Sequence, residues 1–176
     1  ETVDLRGRRV DEPLDLADRQ IGNVDFSGTH FSAPVRFSKA TFAGLAWFKG
    51  CHFAAGADFA SSIFESDCRF DGAELRGESN FRDVELRGVG GFDRAVVAGP
   101  ACFDGVVAHG NLSFASSVFS ARVSFSRPPL DSMRCSSSAT CDFMSTPGIR
   151  HLSTRKPSGT LSRLTGVCPR DSRKND

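Results

Sequence analysis

The chain has 176 residues and a mass of 19.0 kDa, which is the usual size of one domain. Hydrophobic residues make up 39% and charged residues 24%, so the composition argues against bulk disorder. No apolar run approaches the roughly 18 residues that cross a bilayer, which excludes an integral membrane helix. The unusual figure is the aromatic one, with 16 Phe, one Trp and no Tyr.

The net charge of +1 conceals two different regions, because residues 1–125 carry −4 and residues 126–176 carry +5. Such a split predicts a folded body followed by a tail. Neither region is charged strongly enough to indicate a nucleic-acid or membrane partner. We expect a cytoplasmic protein, although the chain begins at Glu1 rather than Met and leaves room for a removed leader or anchor.

Phenylalanine recurs in alternating steps of five and six residues, which predicts a repeated core position. The lattice holds Phe26, Phe31, Phe37, Phe42, Phe48, Phe53, Phe59, Phe64, Phe70, Phe81, Phe92, Phe103, Phe114, Phe119 and Phe125. Its gaps are filled in register by Leu75, Leu86, Val97 and Ala108, and it extends to Leu5, Val10, Leu16, Ile21 and Leu130. One step is shortened to five residues between Ile21 and Phe26. Only Phe143 lies off this lattice.

A second lattice of mostly small residues lies two positions before the first. Its members include Val24, Ala40, Ala46, Cys51 and Cys68. In an extended chain, residues two apart point to the same face, so each unit directs one small and one large side chain inward. An α-helix needs a period near 3.6 and cannot hold this step.

The pattern resembles the pentapeptide-repeat family, in which a central Leu or Phe follows a small residue by two positions. The units Ala40–Gly44, Ala57–Ser61 and Ala73–Gly77 match that consensus as they stand. The resemblance covers residues 3 to about 130, in a phenylalanine-rich form with an eleven-residue double unit that occurs in bacteria. Arg8 and Arg19 depart from it, because they stand where a small residue is expected.

This resemblance implies an all-β, right-handed quadrilateral β-helix of about six coils, with four units in each coil. Folding the lattice four at a time gives four columns, which begin at Leu5, Val10, Leu16 and Ile21 and are called columns one to four. After the third coil, Phe is replaced only in columns two and four. We therefore expect aromatic ladders on the opposite columns one and three.

We divide the chain into a β-helix over residues 1–130 and a basic Ser/Arg/Pro-rich tail of low order over residues 131–176. The abrupt change of composition leaves two interpretations of the tail. It is either a functional basic segment or an unselected sequence produced by a shifted reading frame.

The candidate chemical groups favour packing over catalysis. Cys51 and Cys68 occupy small inward positions, whereas Cys102 is expected to point outward. Cys135 and Cys141 lack the spacing of a zinc site, so we expect no bound metal. We also expect no cofactor. His30 and His52 should stack outward on adjacent coils, where a solvated polar ladder is favoured over a metal or pH site.

Other motifs also favour a structural role. Before the third column, the outward row runs Asp15, Arg36, Asp58, Asn80, Cys102 and Ser124 and predicts pairing between coils, with no acidic cluster that would suit catalysis. The glycines in Gly88–Gly91 predict a corner rather than a phosphate loop. Trp47 is outward by register and is either the candidate surface-contact residue or a side chain that packs partly over a corner.

The sequence therefore predicts a non-enzymatic repeat scaffold or protein–protein interaction module. Its partner would be an unidentified protein or a second copy bound through an end or a face. Some members of the family mimic duplex DNA and regulate type II topoisomerases such as gyrase, but a body charge of −4 imitates a duplex poorly. A β-helix polysaccharide-active enzyme is the weaker alternative.

Overall fold

The computed structural model describes residues 2–125, which form a rod of stacked coils built from 23 short β-strands. In chain order the strands are β1 (Thr2–Asp4), β2 (Arg9–Val10), β3 (Leu14–Asp15), β4 (Gln20–Ile21), β5 (Asn23–Asp25), β6 (His30–Phe31), β7 (Val35–Arg36), β8 (Thr41–Phe42), β9 (Ala46–Trp47), β10 (His52–Phe53), β11 (Ala57–Asp58), β12 (Ile63–Phe64), β13 (Cys68–Arg69), β14 (Glu74–Leu75), β15 (Ser79–Asn80), β16 (Glu85–Leu86), β17 (Gly90–Gly91), β18 (Val96–Val97), β19 (Ala101–Cys102), β20 (Val107–Ala108), β21 (Leu112–Ser113), β22 (Val118–Phe119) and β23 (Val123–Ser124). Leu130, Phe143 and the predicted tail lie outside the described residues.

Every fourth strand joins the same parallel sheet, so the rod has four faces. Face 1 contains β1, β5, β9, β13, β17 and β21, and face 2 contains β2, β6, β10, β14, β18 and β22. Face 3 contains β3, β7, β11, β15, β19 and β23, and face 4 contains β4, β8, β12, β16 and β20. This arrangement confirms the all-β solenoid of about six coils.

The register between coils follows the columns predicted from the lattice. On face 2, Phe31 lies opposite Phe53, which lies opposite Leu75. Most coils repeat after 22 residues, but the first repeats after 21, with Val3 opposite Val24. The missing residue belongs to the shortened step before Phe26. Asn23 borders this site, and its side-chain Oδ1 accepts a hydrogen bond from the Leu45 N–H at 2.8 Å.

The rings of columns one and three contact one another across the axis of the rod. Nine of them form a phenylalanine zipper, made of Phe37, Phe48, Phe59, Phe70, Phe81, Phe92, Phe103, Phe114 and Phe125. Each ring meets the ring eleven residues later edge to face, as between Phe59 and Phe70 at 5.3 Å and 90°. Along a column the rings stack, as between Phe48 and Phe70 at 4.6 Å.

All fifteen lattice phenylalanines are buried, with at most 8% of the side chain exposed. Columns two and four lie beside the zipper and contain shorter aromatic stacks. Phe31 stacks on Phe53 at 5.1 Å, and Phe42 stacks on Phe64 at 4.5 Å. A Tyr hydroxyl at any of these positions would be buried among hydrocarbon, which accounts for the absence of Tyr.

Two kinds of corner join the faces. At the five-residue corners other than the shortened step after Ile21, the residue two positions after the core side chain has a positive φ, as at Gly50 and Lys39. The core residue's carbonyl accepts the N–H three residues later, as from Cys51 to Phe48 at 3.2 Å, which fits a turn whose third residue is left-handed. At the six-residue corners the coils approach closely. A Cβ on Gly88 would lie 2.5 Å from the Ser66 backbone, so Gly88 lies at a corner as the sequence predicts. Gly90 and Gly91, which the same prediction includes, instead form strand β17.

Candidate interaction surfaces

The outward rows of faces 1 and 3 carry Asp and Asn side chains that bond the local backbone. Asp25 accepts the N–H of Ser27 at 3.0 Å, and Asp58 accepts the N–H of Ala60 at 3.1 Å. Asp4, Asp15 and Asn80 make the same contact with the residue two positions later. These groups therefore hold the ends of the short strands, which is the behaviour expected of Asx turns.

The row on face 3 has the register that the sequence predicts. Arg36 lies between Asp15 and Asp58, and its Nη1 is 2.8 Å from Asp15 Oδ2. Both side chains of this pair are more than half exposed, so its contribution to stability is small. Cys102 has the outward register that the sequence predicts, but the residue is buried, with only 4% exposed. Its short side chain lies in the row between Asn80 and Ser124 and is shielded there.

Faces 2 and 4 each carry a charged network built on the same four residues, Glu-Leu-Arg-Gly. On face 4, Arg87 donates to Glu65 at 2.8 Å and to Glu85 at 3.0 Å, while His109 Nε2 lies 3.1 Å from Glu85. The Arg87 hydrogen bond is the main cause that lowers the pKa of Glu85. On face 2, Arg76 donates to Glu74 at 2.8 Å and lowers its pKa in the same way.

His30 and His52 stack on adjacent coils of face 2, as expected from their spacing. They are opposite each other in the register, and their ring centroids are 5.7 Å apart with an interplanar angle of 34°. Nδ1 of His52 lies 2.7 Å from Oε2 of Glu74 on the next coil. Within residues 2–125, no group of three or more His, Cys, Asp or Glu side chains is placed to hold a metal ion.

Trp47 lies on the outer side of β9, halfway along face 1, and is partly exposed. Lys49 places its ammonium group 3.6 Å from the centroid of the indole ring. Leu45, two residues before Trp47, is 41% exposed. Arg69 lies opposite Trp47 on the next coil and is held by Asp71, whose Oδ2 accepts from Arg69 Nε at 2.8 Å. We call Leu45, Trp47, Lys49 and Arg69 the Trp47 surface.

Several exposed apolar residues were missed by the sequence reasoning. Val96 and Val118 face solvent on adjacent coils of face 2, and Val107 does so on face 4, with 36%, 42% and 46% exposed. Each stands between a small and a large inward residue, where polar side chains usually collect. In the sequence, an apolar residue directly before the large inward residue would have predicted these exposed side chains.

The three cysteines of the described region lie in closely packed sites. Cys51 donates its thiol to the Phe26 carbonyl, with Sγ 2.8 Å from the oxygen, and burial raises its pKa to about 12. Burial also raises the pKa of Cys68 well above its usual value. Thiols held protonated in this way are poor nucleophiles. Cys135, Cys141 and Cys168 lie outside the described residues.

The first coil is less tightly packed than the rest of the rod. Leu5, Val10 and Leu16 are only partly buried, although they belong to the same columns as the phenylalanines. Arg8 and Arg19, which the sequence marks as irregular, are exposed. Across residues 2–125, no helix has the length and apolar character needed to span a bilayer.

Comparison with known proteins agrees with this architecture. The family model for pentapeptide repeats (9 copies) matches residues 21–63 and 37–85, which together include the coils with the most regular lattice. Residues 21–85 are therefore pentapeptide repeats. No curated protein matches it. In this pentapeptide-repeat solenoid, the matched coils contain Trp47 and the His30–His52 pair.

Proposed function

We propose that this pentapeptide-repeat protein is a non-enzymatic scaffold that binds a partner protein through the Trp47 surface. The observation that carries the proposal is a partly exposed indole in the middle of a flat sheet face, next to an exposed leucine and two cationic side chains. Trp and Arg are the residue types that most often dominate the free energy of protein–protein binding.

The Trp47 surface combines apolar area with side chains that are already ordered. Lys49 rests on the indole ring, and Arg69 is fixed by Asp71. A partner therefore meets side chains that lose little conformational entropy on binding, which favours affinity. Leu45, which is 41% exposed, extends the apolar area just before β9.

The core supports this role because it gives the outward rows fixed positions. Face 1 stands directly on column one, where Phe48 and Phe70 stack at 4.6 Å beneath Trp47 and Arg69. The backbone of the outward row cannot shift far without disturbing the stacked rings. We infer that the solenoid acts as a rigid platform, since such repeats present extended surfaces for binding.

The charged groups nearby favour binding over catalysis. Asp71 accepts hydrogen bonds from Arg69 and from the Asp93 N–H, and Asp93 in turn accepts the Ala115 N–H at 2.9 Å. Carboxylates occupied in this way stabilise the coils. A general acid or base would need to reach a substrate instead.

The test is affinity capture with the full chain from an extract of the source organism. Proteins retained by the parent chain should be lost with the Trp47→Ala variant, because the indole is the central contact. The matched control is Val107→Ala, which removes an exposed apolar side chain from a different face of the rod, face 4.

The proposal fails if Trp47→Ala retains the same proteins as the parent chain. It also fails if Val107→Ala loses them equally, since the effect would then not belong to face 1. Circular dichroism of both variants checks that the solenoid is intact.

A further inference from the structure

We propose that His30 and His52 form a two-imidazole site on face 2 for a divalent transition-metal ion such as Ni²⁺, Cu²⁺ or Zn²⁺. The site lies on a different face from the Trp47 surface and is independent of the proposed binding function. Its two ligands come from β6 and β10, which are adjacent strands of one sheet. Imidazole nitrogen is a preferred ligand of all three ions.

The first argument is the spacing of the two rings. The residues are directly opposite each other in a parallel ladder, and the ring centroids are 5.7 Å apart. A metal bonded at about 2.0–2.1 Å to one nitrogen of each ring fits between them after small side-chain rotations. Both side chains have that freedom, since His52 is exposed and His30 is partly exposed.

The second argument is the tautomer that Glu74 imposes on His52. A carboxylate can only accept a hydrogen bond, so the 2.7 Å contact requires that Nδ1 of His52 donates its proton to Glu74. The lone pair of the neutral ring is then on Nε2. Glu74 belongs to the coil on the far side of His52 from His30, so its contact leaves Nε2 available to the metal.

Glu74 is itself held in place, which completes the supporting contacts. Arg76 donates to Glu74 Oε1 at 2.8 Å, while Oε2 faces His52. A carboxylate that orients a ligating imidazole is the usual support of histidine metal sites. On the other side of the pair, Arg9 lies opposite His30 but is paired with Asp11 at 2.6 Å, which offsets its positive charge.

The structure provides a matched control on face 4. His109 also contacts a glutamate, with Nε2 3.1 Å from Glu85, and that glutamate is also held by an arginine. Among the described residues, the outward row of face 4 contains no other histidine. His109 therefore reproduces the imidazole–carboxylate contact without the second ligand.

The test is titration of the full chain with Ni²⁺, followed by NMR of the histidine ring protons and by calorimetry. Ni²⁺ should shift or broaden the His30 and His52 ring signals together, at a concentration that leaves the His109 signal unchanged. His30→Gln and His52→Gln should each abolish this site, whereas His109→Gln should leave it intact. Cys135, Cys141, Cys168 and His151 are common to all these variants, so differences between variants belong to the described residues.

The supporting contact has a test of its own. Glu74→Gln should weaken Ni²⁺ binding by about tenfold or more, because a supporting carboxylate typically contributes that factor. Glu85→Gln should leave the affinity unchanged. Equal perturbation of His109 and the His30–His52 pair would overturn the proposal, and so would unchanged binding in His30→Gln. Unchanged affinity in Glu74→Gln would overturn the role given to Glu74.

Discussion

Columns one and three differ from columns two and four, although all four line the same core. From the second coil to the sixth, columns one and three contain only phenylalanine. Columns two and four contain phenylalanine in the second and third coils and then Leu75, Leu86, Val97 and Ala108, before column two returns to Phe119. The difference shows which core positions the fold constrains by ring geometry and which it constrains only by volume.

The reason for the difference is the number of ring contacts at each position. Phe70 in column one contacts five other rings, two along its column and three across the core. Phe64 in column four contacts two. Replacing a zipper ring interrupts a continuous edge-to-face series, whereas replacing a side ring changes only local packing.

Where column four contains no phenylalanine, the inward residue two positions earlier is larger. Ala40 and Ser62 accompany Phe42 and Phe64, but Val84 accompanies Leu86 and Val106 accompanies Ala108. The larger neighbour does not replace the whole volume of the missing ring, because an apolar void of about 10 Å³ remains beside Leu86 and Val84. Column four is therefore specified by total volume, with some freedom in how it is filled.

The largest expected effect comes from breaking the zipper. Phe70→Leu should destabilise the solenoid by about 3 kcal/mol, because each lost ring pair contributes roughly 0.5–1.5 kcal/mol beyond area burial. Phe64→Leu should cost about 1 kcal/mol, since column four already accepts leucine. Urea unfolding of the two variants measures the difference. Equal costs would contradict the distinction between the columns.

A smaller effect tests whether volume alone specifies column four. The double variant Val84→Ala/Leu86→Phe restores the small-plus-aromatic pair of the earlier coils. It should be about as stable as the parent chain, because filling a void of this size contributes only a few tenths of a kcal/mol. Leu86→Phe alone should be destabilised by overpacking against Val84. A double variant no more stable than this single variant would contradict the idea of exchangeable volume.

The outward side chains also differ between faces 1 and 3 on the one hand and faces 2 and 4 on the other. On faces 1 and 3, Asp and Asn side chains accept backbone N–H groups, as Asp25 and Asp58 do. On faces 2 and 4, Glu side chains pair with Arg and His, as Glu74 and Glu85 do. The first arrangement belongs to the strand ends, and the second links side chains across the surface.

The smallest expected effect is a pH dependence from one of the Asp side chains. The Arg6 hydrogen bonds lower the pKa of Asp4 from 3.8 to about 2. Between these values the unfolded chain binds more protons than the folded chain, so stability falls as pH decreases through this window. Asp4→Asn should flatten that slope slightly, as measured by thermal unfolding between pH 5 and about pH 2. A slope identical to that of the parent chain would contradict the assignment.

Much of the fold follows from the sequence because the repeat is strict. The lattice predicts the register of each column, and even the shortened first coil, since a single missing residue before Phe26 changes the offset from 22 to 21. The outward stacking of His30 on His52 follows from the same arithmetic. When every unit of a solenoid has the same conformation, the number of residues between two positions gives the face and the coil on which each one lies.

Other features could not be predicted, because they depend on side-chain geometry rather than on spacing. The zipper requires knowledge of ring orientations across the core. Several corners place a residue other than glycine at a positive φ, namely Lys39, Ser61 and Arg94, so the sequence does not mark these turns with a glycine. Cys102 is shielded by its neighbours in the row although its register is outward. Leu45 became part of the candidate surface only once its exposure beside Trp47 was visible.

The most direct test of the binding role is site-specific photo-crosslinking in the source organism. A photoreactive phenylalanine derivative replaces Leu45 in one variant and Val107 in the other, so that one probe lies beside the intact Trp47 indole and the other lies on face 4. We predict a discrete crosslinked protein from position 45 and none from position 107. The same crosslinks from both positions, or none from position 45, would contradict the assignment of binding to the Trp47 surface.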